Sequence, residues 1–169
     1  LPPVAAGLLI YLLFSRASGP LGFLGLLYTP VAMVIAQILI AFPIVSGLTL
    51  VAIQQVDPKL RLQILSLGAS RTQMYWTLLK EARLPALAAV MAGFGGALSE
   101  VGAVMMVGGN IKGQTRVLTT AIVEEVGKGH LETAVALSVI LLVLTFAVNL
   151  ILTIIQQRSA SPWLKRIWK

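Results

Sequence analysis

The long apolar runs of this sequence constrain its fold more than any other feature. Residues 31–53 and 133–155 contain no Asp, Glu, Lys or Arg, and each run matches the about 20 residues that an α-helix needs to cross bilayer hydrocarbon. Hydrophobic residues make up 57% of the chain and charged residues 11%, against about 25% charged in soluble proteins. One small soluble core could not bury such runs on all sides. We therefore predict an all-α, polytopic helical membrane protein.

Four apolar segments are predicted to be membrane spans, namely residues 4–14, 31–53, 86–107 and 133–155. Pro30 suits the first turn of the second segment, and Pro43 near its middle is expected to kink it. The short first segment is expected to be either the end of a longer helix or a broken helix opened by Pro2 and Pro3. Since the chain begins with Leu1 instead of Met, we expect at least one earlier span to be missing and the intact protein to have five or six.

The net charge of +7 does not indicate nucleic-acid binding, because the basic residues lie between apolar runs and not along one stripe with interleaved aromatic residues. Membrane proteins concentrate Lys and Arg in their cytoplasmic loops. The loop of residues 57–84 and the tail of residues 159–169 are rich in these residues, so both are predicted to face the cytoplasm. Residues 1–158 then form a single transmembrane domain, followed by a basic cytoplasmic tail.

Groups suited to catalysis or metal binding are few. The chain has no cysteine and only one histidine, His130, so we predict no metal site and no cofactor. Ser99 and Glu100 are adjacent and would point about 100° apart on a helix, which does not make a nucleophile and its base. Residues 108–115 nearly match a phosphate-binding loop, but Gln114 stands where that loop needs lysine. The sequence therefore predicts neither an enzyme nor a nucleotide site.

The loop of residues 57–84 is predicted to form two short helices joined by a turn. Asp57 is a good N-cap and Pro58 a good first helical residue, while Gly68 can end the first helix in a left-handed conformation. Ser70 can cap the second helix. An amphipathic hairpin of this kind suits the docking of a cytoplasmic partner, although an interfacial helix pair without a partner has the same pattern. The apolar face of the second helix is predicted from the helical spacing of Met74, Tyr75, Leu78, Leu79 and Ala82.

The same loop resembles the signature of binding-protein-dependent ATP-binding cassette importers, in which E-A-A-x-x-x-G is followed by I-x-L-P and two helices fit a cleft of the ATPase subunit. Gly68 matches the glycine, and Leu78 falls at the isoleucine position. The E-A-A positions hold Leu-Gln-Ile at residues 62–64, and a Leu-Pro pair comes later, at residues 84–85. The resemblance implies contact with a partner ATPase through Gly68, Ala69, Ser70, Arg71 and Leu78.

A second resemblance covers residues 99–122, where Ser-Glu-Val-Gly-Ala is followed by Met-Val-Gly-Gly-Asn-Ile-Lys-Gly-Gln-Thr-Arg-Val-Leu-Thr-Thr-Ala-Ile. This stretch is similar to that of tungstate uptake permeases, and molybdate and sulfate permeases share its outline. The resemblance implies a multi-pass permease subunit with a type I importer fold in a prokaryotic cell membrane. It implies as partners a cytoplasmic ATPase that hydrolyses ATP, an external substrate-binding protein, a second permease copy in a homodimer, and membrane lipid.

Glu100 is the most unusual residue of the apolar segments, because an ionisable side chain well inside a span is costly unless it is paired, hydrated or protonated. Ser99, Glu100 and Gly102 are therefore predicted to belong to the translocation path or its gate. A carboxylate repels an anion. We accordingly expect Glu100 to hold a gate helix by hydrogen bonds or to rest protonated, and not to bind the oxyanion.

The Gly-rich loop after this segment is predicted to lie at the outer mouth of the path. Backbone N–H groups and the positive ends of helices can attract an anion without binding it too tightly for release. The alternative is a solvated turn with ordinary basic residues. The residues expected to receive an oxyanion from an external binding protein are Gly108, Gly109, Asn110, Thr115 and Arg116.

These features together predict the permease subunit of an ATP-driven importer for tungstate or molybdate. The alternative is a secondary anion transporter that uses Glu100 as a proton relay, although the sequence lacks the paired broken helices of inverted repeats. Tungstate, molybdate and sulfate are similar tetrahedral dianions. Discrimination among them is therefore expected to reside mainly in the external binding protein.

Overall fold

A computed structural model describes residues 2–167 of the chain, with side chains up to residue 157. All regular structure in this part is helical. The side chains of the predicted tail, residues 159–169, lie outside the described residues. A short 3-10 turn at Gly22–Leu24 follows the first helix. The α-helices in chain order are α1 (Pro3–Phe14), α2 (Pro30–Gln54), α3 (Pro58–Ser66), α4 (Arg71–Glu81), α5 (Arg83–Ser99), α6 (Gly102–Gly108), α7 (Leu118–Gly127) and α8 (Leu131–Ile167).

Within the described residues, fewer helices than the four predicted spans are long and apolar enough to cross a membrane. Two helices are long and apolar enough to cross a membrane, α2 over Pro30–Gln54 and α8 over Leu131–Gln157. A third candidate is the pair of α4 and α5, which are bent by 71° at their junction. Of the four predicted spans, the first is a helix of only 12 residues and the third is divided. The predicted all-α, polytopic class is confirmed.

The predicted span of residues 86–107 is not one continuous helix, and that expectation is wrong. α5 ends at Ser99 and α6 begins at Gly102. At the break, the N–H of Glu100 binds the carbonyl of Ala97 at 3.4 Å, an i,i+3 pairing, and its side chain binds a backbone N–H of α6. A side chain that competes for backbone N–H groups favours a new helix start over continuation.

The second predicted segment agrees closely with α2, and the fourth lies within α8, whose helix continues to Ile167. Pro30 is the first residue of α2, and the helix continues through Pro43. Large apolar side chains of α8 stay exposed, among them Leu142 at 68% and Phe146 at 70%. Such apolar surfaces fit a helix that contacts lipid or other membrane helices. The helix satisfies its own backbone hydrogen bonds, so its backbone needs no water there.

The chain divides into two compact units, each with its own small core. The first comprises Leu1–Pro43 and Phe94–Val148, and the second comprises Ile44–Gly93 and Asn149–Lys169. In the second unit, Ile64 of α3 packs against Met74 and Leu78 of α4. The core of the first unit consists of Ile10, Phe14, Ala32, Met33, Ala36, Val104 and Val107.

In the first unit α1 and α6 approach each other closely at Gly7. A Cβ atom built on Gly7 would lie 2.6 Å from the Cα atom of Ala103, so only glycine permits this contact. Ala103 is fully buried and clusters with Ala6 and Ile40. Small residues of this kind let membrane helices pack backbone to backbone. The contact holds the start of α6, and with it the break at residue 100, against α1.

Candidate functional site

A cavity of about 520 Å³ lies in the first unit and brings together residues from distant parts of the sequence. Its polar groups are Gln37 of α2, Glu100 at the α5–α6 break, Arg116 before α7, and Thr119 of α7. Aliphatic side chains of α5, α7 and α8 line the rest. A few convergent polar groups in an apolar cavity are typical of a small-ligand site. The cavity joins Glu100 of the predicted gate to Arg116 of the predicted outer loop.

The Glu100 carboxylate is bound to the start of α6. Its Oε1 accepts a hydrogen bond from the N–H of Ala103 at 2.8 Å. The first N–H groups of a helix have no partner within the helix, and a carboxylate near them is also favoured by the helix dipole. The expected hydrogen bond between Glu100 and a helix is therefore present, whereas its role in gating stays a prediction.

The other two predicted gate residues lie beside the break but are not among the residues that line the cavity. Ser99 is exposed, and its hydroxyl donates a hydrogen bond to the carbonyl of Gly96 at 3.0 Å. Gly102 faces α1, because a Cβ atom built on it would lie 3.0 Å from Cγ2 of Val4. Of the three, Glu100 alone contributes to the cavity wall.

The Gly-rich loop after α6 is held together by Thr115, which is buried at 2% exposure. Its Oγ1 donates to the carbonyl of Gly108 at 2.5 Å and accepts from the N–H of Ile111 at 2.9 Å. Gly109 and Asn110 have φ values of 70° and 51°, which reverse the chain directly after α6. The predicted outer-mouth residues therefore form a compact, internally bonded turn.

Glu124 of α7 binds three donors, two of them from this loop. Nδ2 of Asn110 and Nη2 of Arg116 each lie 2.5 Å from its Oε2, and Nζ of Lys128 binds its Oε1. The hydrogen bond from Lys128 lowers the pKa of Glu124, and the charge of Arg116 and the hydrogen bond from Asn110 act in the same direction. Glu124 thus stays ionised and ties the loop to α7.

A second carboxylate extends this cluster. Glu125 binds Nζ of Lys128 at 3.3 Å and Nδ1 of His130 at 2.8 Å. The hydrogen bond with His130 lowers the pKa of Glu125, and the hydrogen bond to Glu124 raises the pKa of Lys128. Across the described residues, His, Asp and Glu never gather in a group of three that could hold a metal ion.

The predicted helical hairpin is present in the second unit as α3 and α4. Asp57 Oδ1 accepts from the N–H of Lys59 at 2.8 Å and caps α3, and Gly68 adopts a φ of 78° between the helices. Ser70 Oγ accepts from the N–H of Gln73 at 3.3 Å, and Gln73 Oε1 accepts from the N–H of Ser70 at 2.8 Å. This reciprocal capping box fixes the start of α4. Sequence reasoning found Ser70 but missed Gln73, its partner three residues later.

The apolar face predicted for α4 has two parts. Met74 and Leu78 are buried against Ile64 of α3. Leu78, at 8% exposure, therefore supports the hairpin from inside, as does the half-buried Ala69, while Gly68, Ser70 and Arg71 are exposed at the turn. Tyr75 and Trp76 are 61% and 62% exposed. They belong to an aromatic groove of about 200 Å³ lined by Thr72, Tyr75, Trp76 and Leu79.

Sequence reasoning also missed α7, which lies in the segment taken as an outer loop. Thr120 Oγ1 accepts from the N–H of Val117 at 3.1 Å and so helps to start this helix. The available signal was the helical spacing of Leu118, Ala121 and Ile122. Without α7, the pairing of Arg116 with Glu124 could not be anticipated.

The family of this chain follows from comparison with known proteins. Residues 1–161 match the family described as binding-protein-dependent transport system inner membrane component. The chain belongs to this family, which confirms the predicted resemblance to importer permeases.

Three curated relatives give the similarity more detail. The chain is 43% identical over 153 residues to a probable anion ABC transporter permease of Haloferax volcanii, covering 88% of this chain and 66% of that protein. It is 42% identical over 156 residues to the tungstate uptake system permease of Peptoclostridium acidaminophilum, covering 92% and 68%. It is 30% identical over 170 residues to a putative molybdenum transport system permease of Bacillus subtilis, covering 94% and 72%. The chain thus spans about two thirds of the length of the first two. No solved structure matches it.

Proposed function

We propose that this chain is the membrane-spanning part of a permease subunit that imports tungstate, or the related oxyanion molybdate, driven by ATP hydrolysis in a separate chain. The observation that carries the choice of cargo is the 42% identity to a tungstate uptake permease over 92% of the chain. The protein itself is a transport subunit in a prokaryotic cell membrane and not an enzyme.

The α3–α4 hairpin is the proposed contact with the cytoplasmic ATPase. Both helices are capped by side chains, and Met74 packs inside the hairpin, so the element can move as one body when a partner moves it. Tyr75 and Trp76 present exposed aromatic surface on one side, and buried aromatic anchors dominate many protein interfaces. The turn from Gly68 to Arg71 completes the proposed contact surface.

The cavity of the first unit is the proposed part of the translocation path. Arg116 supplies a guanidinium, and Gln37 and Thr119 supply neutral hydrogen-bonding groups. Glu100 and its neighbours Ser99 and Gly102 form the proposed gate around the α5–α6 break. An external binding protein would deliver the anion to the loop of residues 108–116, and a second permease copy would complete the path in a homodimer surrounded by lipid.

The test is ATP hydrolysis by the intact permease, reconstituted in vesicles with its candidate ATPase and binding protein. Tungstate, molybdate and sulfate are added in turn, and the anion that stimulates hydrolysis most is the cargo. Trp76→Ser is expected to lower the stimulated rate by about tenfold or more, because loss of a buried aromatic anchor commonly costs about 2 kcal/mol of binding.

Phe23→Ser is the matched control, since Phe23 is an aromatic residue at 81% exposure in the 3-10 turn of the first unit. It is expected to leave the stimulated rate near that of the wild type. If no ATPase binds and uptake instead follows a proton gradient and is abolished by Glu100→Gln, the importer proposal fails and a secondary anion transporter takes its place.

A further inference from the structure

The hydrogen-bond donors around Glu124 are arranged as in an anion-binding site. The anion that they bind is the side-chain carboxylate of Glu124 itself. An amide, a guanidinium and an ammonium from Asn110, Arg116 and Lys128 converge on one carboxylate. Two of these donors share a single oxygen, Oε2, at 2.5 Å each. Charged donors of this kind bind carboxylates and other oxyanions by the same short hydrogen bonds.

Arg116 is only partly engaged by this carboxylate. Its Nη2 binds Glu124, but its Nε is buried without a hydrogen-bond partner among the described residues. A buried donor that is left unpaired is unfavourable. The guanidinium therefore has a free donor for a further acceptor, and a planar guanidinium can bind two oxygens of one oxyanion side by side.

Arg116 also connects this cluster to the cavity of the first unit. The side chains of Arg116 and Glu124 are 25% and 21% exposed, so part of the pair is accessible to an ion although Nε of Arg116 is itself buried. Arg116 lines the cavity together with Gln37 and Thr119, whose side chains can donate hydrogen bonds. An anion in the cavity would reach the same guanidinium that Glu124 holds.

We propose that Glu124 is a built-in competitor for the transported oxyanion, which displaces it from Arg116 when it enters the cavity. This inference rests on the proposed function. In the resting protein, the carboxylate of Glu124 occupies Nη2 of Arg116 and so prevents tight capture of unrelated anions. When the cargo arrives, Lys128 retains Glu124, so the released carboxylate keeps a partner.

Glu100 contributes to the same balance. Its carboxylate lines the cavity that Arg116 lines, and a carboxylate nearby weakens the binding of a dianion. Weak binding suits a site in a transport path, because the cargo must leave it again. Competition by Glu124 and repulsion by Glu100 therefore both favour release of the oxyanion over its tight retention in the cavity.

The test is equilibrium binding of radiolabelled tungstate to the intact permease in lipid nanodiscs, without ATPase or binding protein. Glu124→Gln is expected to tighten tungstate binding by about tenfold, since the amide no longer competes as an anion. The double variant Glu124→Gln with Arg116→Gln should lose that gain. Glu132→Gln removes an exposed carboxylate outside the cluster and should bind tungstate as the wild type does.

Glu124→Asp provides a second measurement if the Gln variant does not fold. The shorter carboxylate cannot reach all three donors at once, so tungstate binding is expected to tighten by a smaller factor. The inference is overturned if folded Glu124 variants bind tungstate no more tightly than the wild type, or if the gain persists without Arg116. Failure of the proposed function is a separate result, namely absence of ATP-driven oxyanion uptake by the wild-type complex.

Discussion

The Glu100 carboxylate accepts a hydrogen bond from the N–H of Ala103 at 2.8 Å, across the break between α5 and α6. Ala103 is in turn packed against Gly7 of α1, where a Cβ atom would come within 2.6 Å of its Cα atom. A single acidic residue in an apolar segment therefore ends one helix, starts the next and lines a cavity. Variants of Glu100 and Gly7 therefore test what holds the α5–α6 break in place.

Replacing Glu100 by Ala is expected to lower the free energy of unfolding by about 1 kcal/mol, the usual effect of losing a side chain that caps a helix. Glu100→Gln keeps an acceptor oxygen and should lose less than half of that. The measurement is equilibrium unfolding of the intact permease in mixed micelles. Equal losses of unfolding free energy in both variants would show that the negative charge of Glu100, and not this hydrogen bond, stabilises the protein.

Replacing Gly7 by Ala is expected to destabilise the protein by about 1–3 kcal/mol, because the added methyl group would force α1 and α6 apart. Gly47→Ala is the matched control, since Gly47 lies in α2 and a Cβ atom there meets nothing within 4 Å. The same unfolding measurement applies. A Gly7→Ala variant as stable as Gly47→Ala would contradict the close contact between α1 and α6.

Replacing Thr115 by Val should cost about 1–3 kcal/mol, because it leaves the carbonyl of Gly108 and the N–H of Ile111 without their side-chain partner. Thr115→Ser keeps the hydroxyl and is expected to cost less. Hydrogen exchange of the Ile111 amide reports the loop directly, and it should speed up in the Val variant only.

Replacing Gly68 by Ala is expected to destabilise the α3–α4 hairpin by about 1–2 kcal/mol, because a residue with a Cβ atom is strained at a φ of 78°. A Cβ atom at this position meets nothing within 4 Å, so crowding does not contribute. Gly68→Asn should be milder, since Asn tolerates the left-handed conformation. Limited proteolysis in the turn would measure both variants, and equal cleavage of all three proteins would refute the prediction.

The cluster of Glu124, Glu125 and Lys128 predicts a plateau in the pH dependence of loop stability. The pKa values of both glutamates are lowered. Their contribution to loop stability is therefore complete above the ordinary glutamate pKa of about 4.3, and it is lost as the pH falls through the lowered pKa values. The pKa of Lys128 is raised, so its contribution is lost only as the pH rises above about 10.4 and through the raised value.

Hydrogen exchange of loop amides, corrected for the intrinsic dependence of exchange on pH, would reveal this plateau. In the double variant Glu124→Gln with Glu125→Gln, the loss on the acid side should largely disappear. An unchanged acid limb in that variant would mean that other carboxylates are responsible.

Local physical chemistry made several elements predictable from the sequence. α2 and α8 follow from uncharged runs long enough to cross hydrocarbon, and the α3–α4 hairpin follows from Asp57, Gly68 and Ser70 at cap positions. The site was harder to predict. Glu100 and Arg116 were each identified as candidates, but their shared cavity was not, because it needs α7 and the break after Ser99.

The sequence by itself determined that this chain is a helical membrane protein and where its α3–α4 hairpin lies, because those properties depend on residues close together along the chain. Only the tertiary structure decided that Glu100 ends a helix, that Arg116 pairs with Glu124, and that both Glu100 and Arg116 line one cavity. These relationships depend on which helices pack together. A pattern of 3.6 residues per turn records which face of a helix is apolar, but not which residue of another segment meets it.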